Sequence, residues 1–306
     1  MKNSFTIKCT FFVLAALVIQ ACQPRVKEKS SSDTFYTGTV KFVTDESFAP
    51  IIGQEEFVFK SRHADANPVF LYRPENQAIN MLLNDSVRLA FLARDLDTAE
   101  RNVIIRHGLS VNSQRFAVDA IALIVNKASA DTLITVSTLK KMLNGQGDLN
   151  KTIVFDNPNS SLVRYLKEFS GNKEFKQKNI YALKSNKEVI KYVSEHPDAL
   201  GITGFSWLND PGEDIAAFAD NVKIVAVKDE DNKQYPNEYF KPSQESLVLK
   251  QYPLSRGLYL VNSSSKVGLA LGFATFLGSD VGQRIILRSG LLPDSIPPRE
   301  IILKSK

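Results

Sequence analysis

Two short stretches, Thr44-Asp45-Glu46-Ser47-Phe48 and Asn159-Ser160-Ser161, place hydroxyls, carboxyls and amides where an apolar run ends and a helical pattern begins. Two kinds of chemistry fit such a boundary. A helix start presents unpaired backbone N–H groups and the positive end of its dipole, so it can receive an anion; the same side chains also serve as plain helix caps. Arg94-Asp95 pairs a guanidinium with an acceptor-only carboxylate. Arg94 is suited to bidentate contact with an oxyanion, or to neutralising Asp95 or Glu75.

Other chemistries find little support. The only cysteines are Cys9 and Cys22, both at the N-terminal end, so no thiol is left in the body of the chain for a disulfide, a zinc site or nucleophilic attack. His63, His107 and His196 lie far apart and share no ligand spacing, so no metal site is expected. There is no Gly-x-Ser-x-Gly elbow and no Walker-type loop. No enzyme activity and no cofactor is expected.

The elements that position these residues follow an exported leader. Lys2 and Lys8 precede an apolar run from Phe11 to Ile19 that ends in Gln20-Ala21-Cys22. A membrane span needs about 20 apolar residues, and this run is about half that. It reads as a signal peptide over residues 1–21, with Cys22 in a context similar to the bacterial lipobox, where the cysteine is lipidated. Residues 22–36, polar and Ser-rich, read as a flexible tether. Without the leader 285 residues remain, and the formal charge falls from +5 to +3 with basic and acidic residues interspersed, which does not fit nucleic-acid binding.

From Thr37 strand and helix patterns alternate. Strands are expected at Val40–Phe42, Pro68–Tyr72 and Val87–Ala93, with helices after Ser47 to about Arg62, from Pro74-Glu75, and after an Asp97/Glu100 capping box. Val118–Asn126 is almost continuously apolar and reads as a strand buried on both faces; Tyr252–Asn262 is a second candidate crossing strand. Between them lie a short helix capped by Thr135, a capping box at Ser185/Glu188, and strands at Thr152–Phe155, Ala199–Phe205 and Val222–Val227. Helices at about 265–277 and 279–288 follow, and the Gly268-x-x-x-Gly272 spacing in the first reads as close packing in a core.

The order TDESF, RDLDTAE, DAIALIVN, NSSLVRYL, ALGITGFS, YPLSRGLYL, GQRIILRSGLLP resembles the phosphate-type substrate-binding proteins of ABC importers over about residues 39–293. The resemblance implies an α/β, two-lobed periplasmic-binding-protein-like fold of type II, each lobe a mostly parallel sheet flanked by helices, joined by a two-strand hinge. Lobe I would comprise residues 37–118 and 257–306, and lobe II residues 119–256. It also implies a ligand site made of Thr44, Ser47, Phe48, Arg94, Asp95, Asn159, Ser160 and Ser161. Ser47 and Phe48 fall where the family uses a hydroxyl and backbone amides, Asn159-Ser160-Ser161 at its Ser-Gly-Thr turn, and Asp95 where an Asp accepts a proton from phosphate. Departures are visible: Glu75 stands where a Gly/Ser-rich turn is usual, and Asp156 near the position of the family's Arg. The implied function is a lipid-anchored, monomeric, periplasmic receptor that binds phosphate or a similar oxyanion and meets a permease. A sensor or surface-interaction lipoprotein on the same fold is the second class, favoured by the altered loops.

Overall fold

The computed structural model describes residues 33–146, 151–264 and 266–295. The leader, Cys22 and most of the tether lie outside them, as does the end of the expected return to lobe I.

In chain order the elements of the first hundred described residues are β1 (Gly38–Asp45), a 3-10 turn (Glu46–Phe48), α1 (Ala49–Arg62), β2 (Ala66–Arg73), α2 (Glu75–Leu83), β3 (Leu89–Leu92), α3 (Thr98–Arg106) and β4 (Asn112–Asn126). There follow β5 (Leu133–Thr135), α4 (Val136–Leu143), β6 (Thr152–Phe155), α5 (Ser161–Ser170), β7 (Ile180–Ala182), α6 (Asn186–Glu195), β8 (Ala199–Gly204), α7 (Ser206–Asn209), α8 (Ala216–Ala219), β9 (Val222–Ile224) and β10 (Ala226–Lys228). The last are α9 (Gln244–Val248), β11 (Ser255–Asn262), α10 (Leu269–Leu277), α11 (Asp280–Arg288) and β12 (Leu292–Pro293).

One mixed sheet has the order β2-β1-β3-β11-β4-β8-β6-β7, with β12 and β9 also against β4. The first half, β2-β1-β3, is parallel, as expected of strands linked by helices. So are β8-β6-β7 in the second. The halves meet through antiparallel strands: Asn112–Ala120 of β4 pairs with β11, whereas Ile121–Val125 pairs with β8. Thus β4 passes from one half to the other between Ala120 and Ile121, where the Ile121 N–H donates to the Leu254 carbonyl at 2.8 Å, just before β11. The two crossing segments lie side by side.

Each half has its own apolar core. In the first, Phe42, Phe59, Phe91 and Phe273 are fully buried, with Phe42 stacked on Phe70 at 4.8 Å between centroids. In the second, Leu123, Leu139, Ile153 and Leu166 are fully buried on one face of the sheet, and Ile124, Val154 and Val189 on the other. Helix α6 lies so close to β8 that a Cβ on Gly201 would come within 2.5 Å of the Val193 side chain. In the Gly268/Gly272 spacing, a Cβ on Gly272 would overlap the Phe35 carbonyl, and the Asp33 carboxylate accepts the Leu269 N–H at 2.8 Å. The small residues admit the backbone of the N-terminal segment.

Several expectations shift. Val222–Val227 is two strands, because the chain changes partner at Val225: its N–H donates to Leu123, and that of Ala226 to Thr132. The Asp97/Glu100 capping box is present, but at Ser185 only half of one forms, since Glu188 accepts the Lys184 N–H instead. β4 begins at Asn112, earlier than its apolar run, because β11 continues alongside it. α10 begins at Leu269, where Asp33 takes its first amide. The described residues form one compact unit.

Candidate functional site between the two halves of the sheet

β1 carries Thr44 and Asp45 to its C-terminal end, where both are fully buried. Asp45 caps the turn that follows, its Oδ1 accepting the Ser47 N–H at 2.8 Å. Thr44 donates its hydroxyl to the Asp45 carbonyl at 3.2 Å. In the other half β6 ends at Phe155, and Ser160 caps α5, accepting the Val163 N–H at 3.2 Å. These are ordinary caps locally.

Their meeting is not local. Asp45 Oδ2 accepts the Ser161 N–H at 3.1 Å, so one carboxylate takes an amide from each junction. Ser47 Oγ donates to Asp156 Oδ2 at 3.4 Å, and Trp207 Nε1 donates to the Ser47 carbonyl at 3.0 Å. Asp156 also accepts from Ser160 Oγ at 2.5 Å and from Asn186 Nδ2 at 3.1 Å. Asn186, the first residue of α6, is fixed in turn by Thr203 Oγ1 donating to its Oδ1 at 2.7 Å.

The crossing strands add charge. Arg256 on β11 stands directly opposite Asp119 on β4. Its Nε and Nη2 donate to Asp119 Oδ2 at 3.1 and 2.9 Å, its Nη1 donates to Ser161 Oγ at 2.8 Å, and the guanidinium lies 5.1 Å from the centre of the Phe48 ring. Asp119 and Arg256 are almost wholly shielded from solvent. Asp119 Oδ1 is buried with no hydrogen-bond partner. The cluster therefore sets three buried carboxylates, Asp45, Asp119 and Asp156, against one guanidinium.

That imbalance shows in proton affinity. Burial raises the Asp119 carboxyl against the pull of Arg256. Burial, joined by the charge of Asp45, raises Asp156 to about 7 against its hydrogen bonds from Ser160 and Asn186. A group held there gains when the cluster carries a proton.

The residues expected from the sequence divide into two places. Thr44, Ser47, Phe48, Ser160 and Ser161 converge at the junction. Asn159 lies at its edge, where its carbonyl accepts the Asn76 N–H at 3.4 Å. Arg94 and Asp95 are elsewhere engaged. Arg94 makes a two-pronged contact with the Glu100 carboxylate at 2.6 and 2.7 Å, and its Nη1 also donates to the Asp95 backbone carbonyl at 2.9 Å, so its guanidinium is engaged by Glu100 rather than by the carboxylates of Asp95 or Glu75. Asp95 accepts from Arg101 at 2.5 Å and from the Leu96 N–H at 2.7 Å. Glu75, fully buried, is paired across the halves with Arg164 at 2.5 Å and also accepts the Ala93 N–H.

Arg256, Asp119, Asn186, Trp207 and Arg164 did not emerge as site residues from the sequence. A signal existed for two of them: Asp119 and Arg256 are single charges within the two apolar crossing strands, and a charge buried on such a strand requires a partner. Arg164 reads locally as a helix-surface residue. Beside Trp207 a cavity of about 360 Å³ opens between the halves, lined by Ala49, Pro50, Gln54, Lys187, Asp210, Gly212 and Asp214. Among the described residues no three His, Cys, Asp or Glu side chains are placed to hold a metal ion, and no helix is long and apolar enough to cross a membrane.

Comparison with known proteins agrees with this architecture. The phosphate-binding protein PstS of Borreliella burgdorferi is 26% identical over 300 residues, covering 92% of this chain and 96% of its own. Among solved structures, a protein from Clostridium perfringens with bound phosphate superposes with a TM-score of 0.69 at 19% identity, over 84% of this chain and 100% of that one. An ABC-type phosphate transport receptor from Vibrio cholerae gives a TM-score of 0.62 at 18% identity over the same shares. The family described as the PBP superfamily domain matches residues 29–281, from the tether through the first residues of α11, and the chain belongs to it.

Proposed function

We propose that this protein is an extracytoplasmic receptor that binds phosphate or a similar small oxyanion between the two halves of its sheet and passes it to an ABC-type permease. The observation that carries the reading is the convergence of two strand-to-helix junctions, one from each half. Together with Arg256 they bring the Ser47 and Ser161 amides and the hydroxyls of Ser47, Ser160 and Ser161 to one buried place. Amides at helix starts and a guanidinium are the donors an oxyanion needs. The relatives named for phosphate binding support the ligand class.

In this reading the junction binds and releases without chemistry. Residues 37–118 with 257–306 and residues 119–256 act as lobes that part about the crossing segments to admit the ligand. The receptor works as a monomer, lipidated at Cys22 and held at the membrane in the periplasm. Isothermal calorimetry on the chain from Ser32 onward tests the ligand: phosphate or arsenate should bind with a measurable heat. A folded protein that takes up none of phosphate, arsenate, sulfate or molybdate at millimolar concentration would refute the oxyanion reading.

A further inference from the structure

The two main-chain donors best placed for an oxyanion already have an acceptor within the chain. Asp45 Oδ1 takes the Ser47 N–H and Oδ2 takes the Ser161 N–H, with the whole residue buried. A helix cap needs only the first of these contacts. The second reaches 116 positions along the chain to the opposite half, at the N-terminus of the ten-residue helix α5. The contact does not stand alone: Ser47 to Asp156, Trp207 to Ser47 and Arg164 to Glu75 cross the same boundary.

From this geometry we infer that Asp45 is an internal competitor for the oxyanion: a tethered carboxylate that clasps the two halves together and sets how tightly an external anion binds. The inference rests on the reading of this junction as an oxyanion site. Because Asp45 belongs to the chain, its effective concentration at the two amides far exceeds that of any dissolved ligand. An incoming oxyanion must displace it, and the site already holds Asp156 and Asp119, whose carboxyls the charge of Asp45 raises. Asp45 thus sets the affinity of the site for anions generally, and it makes the closed arrangement available without ligand.

Asp45→Asn tests this with little change in shape. Asparagine remains a good cap for the Ser47 amide, but its NH₂ group cannot accept from Ser161. In the chain from Ser32 onward, which lacks both native cysteines, spin labels on Ala64→Cys and Lys173→Cys report the distance between the halves. With no anion added, Asp45→Asn should shift the distance distribution to longer values. Calorimetry should show phosphate and sulfate binding about tenfold tighter than in the parent, as expected if the competent state rises from about a tenth of the population. An unchanged distance distribution overturns the clasp, whatever binds. Unchanged phosphate binding overturns the competition, and weaker binding overturns it and makes Asp45 part of the ligand set. If neither protein binds phosphate or sulfate, the oxyanion reading fails instead, and the distances alone decide whether Asp45 clasps. Asp45→Ser, which also keeps a cap, replaces Asp45→Asn if that variant does not fold.

Discussion

The loop from Arg94 to Arg101 and the junction around Arg256 hold similar residue types and treat them in opposite ways. In the loop both arginines find an acid within six residues, Arg94 with Glu100 and Arg101 with Asp95. Both pairs remain partly exposed, and the remaining acid, Asp97, is exposed and caps the following helix. At the junction the partners come from β1, β4, β11 and the residue just after β6, all are buried, and acids outnumber bases. A solvated network whose arginines are already paired within the loop has nothing left to offer an anion. A buried cluster with excess acid, an unpaired acceptor on Asp119 and hydroxyls from both halves has unmet needs that closure, protonation or a ligand can supply.

The difference is sharpest in what each pair is worth. Replacing Arg256 by Met leaves Asp119 buried without a counter-charge and should destabilise the fold by about 3–5 kcal/mol in urea titration. A loss below about 1 kcal/mol would show that Asp119 is already neutral or hydrated in the parent.

The two regions should also respond to pH in opposite directions. Asp156, raised to about 7, holds a proton that the unfolded chain has released. Its contribution to stability is complete below its ordinary pKa near 3.8 and disappears as pH rises through about 7. Glu55 on α1, whose two carboxylate oxygens are buried without partners, is raised by burial to about 9 and acts in the same sense over a wider range. Asp95 and Glu100 are lowered. Partial burial opposes ionisation of Asp95, but hydrogen bonds from Ser113 and Arg101 outweigh it, and the hydrogen bond from Arg94 lowers Glu100. They contribute stability above their ordinary values that is lost on acidification. Asp156→Asn should therefore lose about 4 kcal/mol less stability than the parent between pH 4 and pH 8, measured by urea unfolding at each pH. Equal pH profiles would mean that Asp156 is ionised throughout.

The smallest effect is expected in the loop. Arg94→Ala removes a partly exposed pair and should cost about 1 kcal/mol or less, with phosphate affinity unchanged. A large fall in phosphate affinity would return Arg94 to the ligand set and erase the contrast between the two regions.

Much of the scaffold is legible in the residues themselves, because its signals are local. Alternating strand and helix patterns, the Asp97/Glu100 box, the Thr135 and Ser160 caps and the apolar crossing strands each depend on neighbours a few positions away. Ser47, Ser160 and Ser161 read locally as no more than helix-start residues, and only the order of segments shared with the substrate-binding family marks them as site candidates. What the sequence could not assign was partnership. Arg94 beside Asp95 looks like a site because adjacency is visible, yet a capping glutamate six residues on takes the guanidinium. Arg256 finds Asp119 only because two antiparallel strands 137 positions apart are in register, and Asp45 finds Ser161 only because the two halves close on each other. Local propensity sets which segments become strands, helices and caps, while burial and long-range register decide which charges are shielded from water and which neighbours must neutralise them.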